Sequence, residues 1–397
     1  MKFKKNIIFS CLLLSSLACT STISAVLTIS QYGSDIVLQK PYFNQDDYTN
    51  ISFIFAGGFA NQAYTQNSAK VHFLEQFGPE NLLNKFIDQS IPNFESFGQG
   101  QLHGEFKIHQ LVASCYKNMN HGFFIEAATN IQDLRINNIT LTFSPSPLHI
   151  TEDQINNLEI LQSKIPNSIS RSGMFTTAFY TGWGKTYSDY THLDFIDLTI
   201  KIGLMTPQAM STNNQTILQF PFIGNLNFGY PVIATASIGL LDWITLGCHA
   251  SVIPWQATTK TVAMNQVGSH NSLLIPESGI ARVQRAPLFT TGLYFEADHF
   301  HQGFSATVAY SYTQSLAYRF TPIDMQRFNT TFVNQSELLQ SWSIGSIYLQ
   351  FDIDFATEIH PNASVISLLC NIPVGGTFCS ATNMFGGSCS LQISYLF

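Results

Sequence analysis

Apolar residues recur at every second position over long stretches of this 397-residue chain. Between Ile347 and Phe355 they are Ile347, Leu349, Phe351, Ile353 and Phe355, separated by Tyr348, Gln350, Asp352 and Asp354. From Ile196 to Leu204, Ile196, Leu198, Ile200, Ile202 and Leu204 alternate with Asp197, Thr199, Lys201 and Gly203. Phe304, Ala306, Val308, Tyr310 and Tyr312 repeat the pattern against Ser305, Thr307, Ala309, Ser311 and Thr313. Successive side chains of a strand point to opposite faces, so each stretch predicts a strand with one apolar and one polar side.

Twelve such strands are predicted, at about 51–60, 104–116, 122–136, 173–184, 191–204, 228–241, 243–255, 288–297, 302–318, 342–356, 362–372 and 387–397. Most exceed the ~9–11 residues that a tilted membrane-crossing strand needs. Short connections near 117–121, 185–190, 241–242, 298–301 and 357–361 alternate with long ones over 61–103, 137–172, 205–227, 256–287, 319–341 and 373–386. The expected fold is all-β: a transmembrane antiparallel up-and-down barrel with short periplasmic turns and long extracellular loops. An even strand number puts both ends on the short-turn side. Val26–Gln39 alternates weakly, and 256–287 is long enough to hold another pair, so fourteen strands remains the alternative. Register switches at Phe195–Ile196 and Gly345–Ser346 predict bulges or strand ends.

Composition then narrows the environment. Charged residues are 11% of the chain, against roughly a quarter in soluble domains. Yet no segment beyond the N-terminus approaches the ~20 continuous apolar residues of a spanning helix. A membrane chain of that kind satisfies its backbone only as a closed barrel. Lys2, Lys4 and Lys5, the apolar run Ile7–Ala18 and small residues up to Ala25 read as an export signal. The expected organisation is a signal peptide over 1–25, a periplasmic segment over 26–50 and the barrel over 51–397. Cleavage after Ala25 leaves 15 basic against 25 acidic residues, a net charge near −10. That balance excludes nucleic acid as a partner, since phosphates demand a basic face. Five cysteines remain, Cys115, Cys248, Cys370, Cys379 and Cys389, in no metal-binding spacing. Cys379 and Cys389 flank a Gly-rich stretch and are either bridged or two half-buried thiols.

At the end of the chain Leu391, Ile393, Tyr395 and Phe397 share one face, and the last residue is aromatic. This ending resembles the terminal strand of Gram-negative outer-membrane β-barrel proteins. The direct likeness covers about ten residues, together with the general strand-and-loop layout. It implies a porin-like protein of the cell outer membrane, without pointing to a subfamily. It also implies contact with outer-membrane lipid, and Tyr395 and Phe397 as the signal read by the barrel-assembly machinery.

The polar strand faces carry Glu105, Lys107, His109, Glu126, Asp197, Lys201, Glu296, Asp352 and Asp354. They are the expected lining of a water-filled, acidic-leaning lumen that favours cations or neutral solutes over anions. The bland alternative is a solvated inner wall that selects nothing. The function this implies is passive diffusion of small polar solutes, with no enzyme chemistry, no cofactor and no metal. The alternative is a plugged barrel that displays its loops for surface interaction or adhesion. Catalysis is disfavoured because His249 and Ser251 share a strand face that looks into the expected lumen and not to lipid, Ser269, His270 and Asn271 sit in a long loop without strand context, and no G-x-S-x-G occurs. His299 with His301, and His103 with His109, want the third convergent ligand that a metal requires. Two loop stretches, 79–88 and 151–165, carry helical spacing and suit either an inward-folded constriction or a rim cover. The solute and the oligomeric state are not legible.

Overall fold

In a computed structural model, the residues described are 37–40, 48–77, 99–144, 159, 163, 165–188, 193–207, 227–240, 243–264, 277–301, 303–335, 339–355 and 364–394. In chain order the elements begin with β1 (Tyr48–Ala60), β2 (Gln62–Tyr64), β3 (Lys70–His72), β4 (Gln99–Asn118), β5 (Phe123–Ser144) and β6 (Ile169–Ser188). They continue with β7 (Phe195–Pro207), β8 (Val232–Leu240), β9 (Ile244–Ile253), β10 (Thr258–Met264), β11 (Glu277–Gln284) and β12 (Leu288–His301). The remainder are β13 (Phe304–Ser315), β14 (Arg319–Pro322), α1 (Thr330–Asn334), β15 (Trp342–Asp354), β16 (Ser364–Thr377), β17 (Cys379–Ser380) and β18 (Asn383–Ser394). Twelve of the strands form a closed antiparallel barrel in the order β1, β18, β16, β15, β13, β12, β9, β8, β7, β6, β5, β4. Closure is made by β1 against β18, from Tyr48 opposite Ser394 to Phe59 opposite Asn383. No sheet edge is left open in the wall, which is what hydrocarbon demands of a strand-built span.

All twelve predicted wall strands are present. The extra hairpin suspected within 256–287 also exists, as β10 and β11, but outside the wall. It pairs with β14 in a separate three-stranded sheet. That sheet buries its own core of Val262, Met264, Ala281, Val283, Phe320 and Phe328. Having buried its apolar side there, the hairpin has no lipid-facing side to offer the barrel, and the count stays at twelve. A second small sheet, β17–β2–β3, is built from connections at the same end. The predicted switch at Gly345–Ser346 is a register shift against β16, and Phe195 opens β7.

Strand length explains where the sequence pattern changes meaning. β4, β5 and β6 contain 20, 22 and 20 residues, about twice what a bilayer crossing takes. On the outer face of β5, Phe123, Ile125 and Ile131 give way to Asp133 and Arg135, which pair at 2.7 Å. The outer face changes there from apolar to charged. On β4 the same transition corrects the expected lining. Phe106 and Ile108 are buried inside, so Glu105, Lys107 and His109 fall on the outer face. The wet side there is the outside, because the inside is filled by protein.

Short connections join the strands at the other end. Gly303, between β12 and β13, has φ of 85°, a left-handed conformation that glycine adopts at little cost. A Cβ there would lie 2.6 Å from the Asp354 carbonyl oxygen. Gly303→Ala is expected to destabilise the barrel by about 1–2 kcal/mol, read as a lower urea midpoint in detergent.

The five cysteines are free. Cys379 is buried in β17 while Cys389 points outward, so the bridge is not the arrangement realised. Burial pushes the Cys379 thiol up to about 12, leaving almost no nucleophilic thiolate at neutral pH. Iodoacetamide at pH 8 should therefore spare Cys379 in the folded protein and modify it after unfolding. Rapid labelling of the folded state would contradict this burial.

Candidate functional site

The lumen has two different halves. Toward the long-connection end it is apolar. Phe73 and Leu74, from the single turn Phe73–Phe77, are fully buried beside Phe106, Ile108, Leu134 and Ile136. The Phe73 and Phe106 rings stack at 5.1 Å, and Glu75 lies 3.1 Å from Nδ1 of His103. The connection that follows β1 thus reaches over and into the barrel.

Toward the short-turn end the inner wall is charged. Glu126 on β5 and Lys201 on β7 meet at 2.9 Å, with side chains only 1% and 2% exposed. Tyr180 of the intervening strand β6 lies beneath, its ring 4.7 Å from Lys201 Nζ. The ring lies across Gly203, whose absent side chain leaves the space: a Cβ there would meet Tyr180 Cδ1 at 2.4 Å. Asp197 also faces inward, buried and flanked in register by Thr186 and Ser237. His249 is buried on the same wall, its ring over Gly292.

Part of the chain before β1 lies in this charged half. Within the stretch 26–50, read from the sequence as a periplasmic segment, Val37, Leu38, Gln39 and Lys40 are buried within the barrel, and Tyr48 belongs to β1. Lys40 Nζ donates to Glu296 Oε1 at 2.7 Å and to Thr307 Oγ1 at 3.1 Å. It also lies 5.8 Å from the centre of the Tyr294 ring. The charges of Asp352 and Asp298 act on the same ammonium. Asp352 is held by Gln350 Nε2, which donates to both its oxygens at 2.6 and 2.8 Å, and Gln350 accepts from the Tyr348 hydroxyl at 2.8 Å. Asp298 accepts from the Ser305 hydroxyl at 2.7 Å.

Of the residues singled out from the sequence, Glu126, Asp197, Lys201, Glu296 and Asp352 therefore line the inside, and Asp354 ends the same strand face, partly exposed. The structure brings Glu126 to Lys201 and gathers Glu296 with Asp352; Glu105 and Lys107 join neither group. Lys40 was missed, since a lone lysine in a weakly alternating stretch carries no periodic signal. Tyr395, Phe397, the 79–88 stretch and most of 151–165 lie outside the described residues, as do the side chains of His299 and His301. Among the described residues no three His, Cys, Asp or Glu side chains converge as metal ligands.

At the rim, Arg285 between β11 and β12 is clamped by two rings. Its guanidinium carbon lies 3.9 Å from the centre of Trp255 and 5.3 Å from that of Tyr318. Burial lowers the Arg285 pKa, and burial raises that of Tyr318 beside it. A planar guanidinium stacks where an ammonium cannot. Arg285→Lys is therefore expected to loosen the β10–β11–β14 sheet by about 1–2 kcal/mol, visible as faster protease nicking of the long connections.

No protein-family model matches the chain, and no curated protein matches it. Among solved structures, it is similar to an outer membrane channel from Pseudomonas putida F1, at 9% identity and a TM-score of 0.50, over 88% of this chain and 96% of that one. It is also similar to the Pseudomonas putida toluene transporter TodX, at 11% identity and a TM-score of 0.40, over 96% and 97%. The translocator domain of the autotransporter NalP from Neisseria meningitidis aligns at 7% identity and a TM-score of 0.35, over 89% and 90%. The first of these, with the closed wall itself, defines the class: the fold is that of a Gram-negative outer-membrane β-barrel.

Proposed function

We propose that the protein is exported to the outer membrane and acts there as a channel for small polar solutes, held shut at rest by parts of its own chain. It performs no chemistry and needs no cofactor. One observation carries this reading. The charged half of the lumen holds chain that belongs to no strand of the wall, with Val37, Leu38, Gln39 and Lys40 buried there. A barrel that served only as a scaffold needs no ionic lining, since buried charges cost stability unless each is matched. A removable stopper over such a lining suits a gated aqueous path. Purified full-length protein in planar bilayers should show rare stepwise openings. Asp352→Asn combined with Asp354→Asn should lower the step size, by roughly a factor of two if both acids line the path. Complete absence of conductance at any voltage would reject the channel.

The second reading is a surface interaction protein, and one observation favours it. The sheet β10–β11–β14 with α1 has its own core yet exposes Ile280, Ile323, Met325 and Phe332 beyond the barrel. Loss of binding to host cells on Ile323→Ser with Met325→Ser, at unchanged conductance, would favour this role.

A further inference from the structure

We infer that Lys40 is a tethered stand-in for the solute, and that the lower lumen is a binding site for a primary alkylammonium group. This rests on the channel reading and adds to it the chemical class that the site accepts. Three carboxylates gather at this ammonium: Glu296 meets it at 2.7 Å, and Asp298 and Asp352 converge at Ser305, which donates to Asp298 and stands opposite Asp352 in register. All come from the wall, on β12 and β15, whereas the ammonium arrives on a segment that is not part of it. The wall is thus built for a positive charge that it does not itself provide.

The surroundings specify what kind of cation. Glu296 and the Thr307 hydroxyl accept two of the three N–H bonds an ammonium can donate. The Tyr294 ring presents the electron-rich surface that alkylammonium groups prefer. Metal cations would want more oxygen ligands at shorter range.

One polar side chain of this segment is poorly matched. Gln39 is 3% exposed, and among the described residues no group pairs with either polar atom of its amide. A buried amide left in that state weighs against seating by about 1–3 kcal/mol. Val37 and Leu38 contribute apolar contacts within the core. Lys40 is the one charged latch among the four residues. A free cation of the same shape competes with it for the same carboxylates, so solute binding and release of the stopper are a single exchange.

The test uses the full chain and n-butylammonium chloride, whose cation matches the end of a lysine side chain. Lys40→Ala is expected to open at least about ten times more often than the parent protein, with currents carried by cations in preference to chloride. Butylammonium should block those currents and restore the thermal midpoint of Lys40→Ala toward that of the parent, while n-butanol does neither. Lys40→Met keeps the stem without the charge, so it should open like Lys40→Ala yet gain no thermal rescue. Adding Glu296→Gln to Lys40→Ala should abolish the rescue. If Lys40→Ala opens no more often than the parent, or is insensitive to butylammonium, the tethered-cation idea falls while parental openings keep the channel. If butylammonium stabilises a protein that never conducts, the ammonium site stands and the channel reading is the one that fails.

Discussion

Lys201→Met should destabilise the barrel by about 3–5 kcal/mol, the cost of leaving a buried carboxylate without its partner. Glu126 and Lys201 meet at 2.9 Å with almost no solvent contact, and the ammonium also lies over the Tyr180 ring. Removing the cation leaves Glu126 in a low-dielectric wall, where it must either stay charged at high cost or take up a proton. The double change Glu126→Leu with Lys201→Met removes both charges and should recover most of the loss, because a matched ion pair inside a protein is often no better than apolar packing. Urea unfolding in detergent, followed by tryptophan fluorescence and gel mobility, gives both numbers. A loss below about 1 kcal/mol for the single change would mean a screened pair in open water, and the lumen at that depth would then be wide and wet.

The wall was legible in the sequence because a strand's two-residue period is rigid and a bilayer punishes every exception to it. Ile347–Phe355 and Ile196–Leu204 could be read directly, and their inward acids and lysine follow from the same parity. Loop length did the rest, since alternating short and long connections fix an up-and-down order. Parity names two faces without saying which is inner. In β4 the polar positions Glu105, Lys107 and His109 lie on the outer face near the long-connection end, while Phe106 and Ile108 pack in one core with Phe73 from a distant connection. Nothing local to β4 announces that partner. Lys40 was hidden for a related reason: its meaning depends on Glu296 and Thr307, more than 250 residues away, and no period links them. The hairpin within 256–287 was visible as a pair of strands, but its place outside the wall depends on Phe320 and Phe328 from another connection.

Leu293→Arg tests the proposition beneath all of this, that the apolar outer face meets hydrocarbon. Leu293 stands midway along β12, is 66% exposed, and has Phe289 and Phe295 exposed on the same face. A soluble protein accepts an arginine at so exposed a position within about 0.5 kcal/mol. Near the middle of a bilayer the same change costs about 2–4 kcal/mol, falling toward zero at the interface. Arg135→Leu supplies the contrast: it is also on the outer face, but high on β5 and paired with Asp133 in water, so it should change stability by less than about 1 kcal/mol. Refolding of both variants into lipid vesicles, with urea titration of each, compares the two heights on one barrel. A steep cost at Leu293 and a small one at Arg135 locates the edge of the membrane between them. Equal, small costs would mean that water bathes the whole outer face, and the apolar belt would then have to be covered by protein instead of lipid.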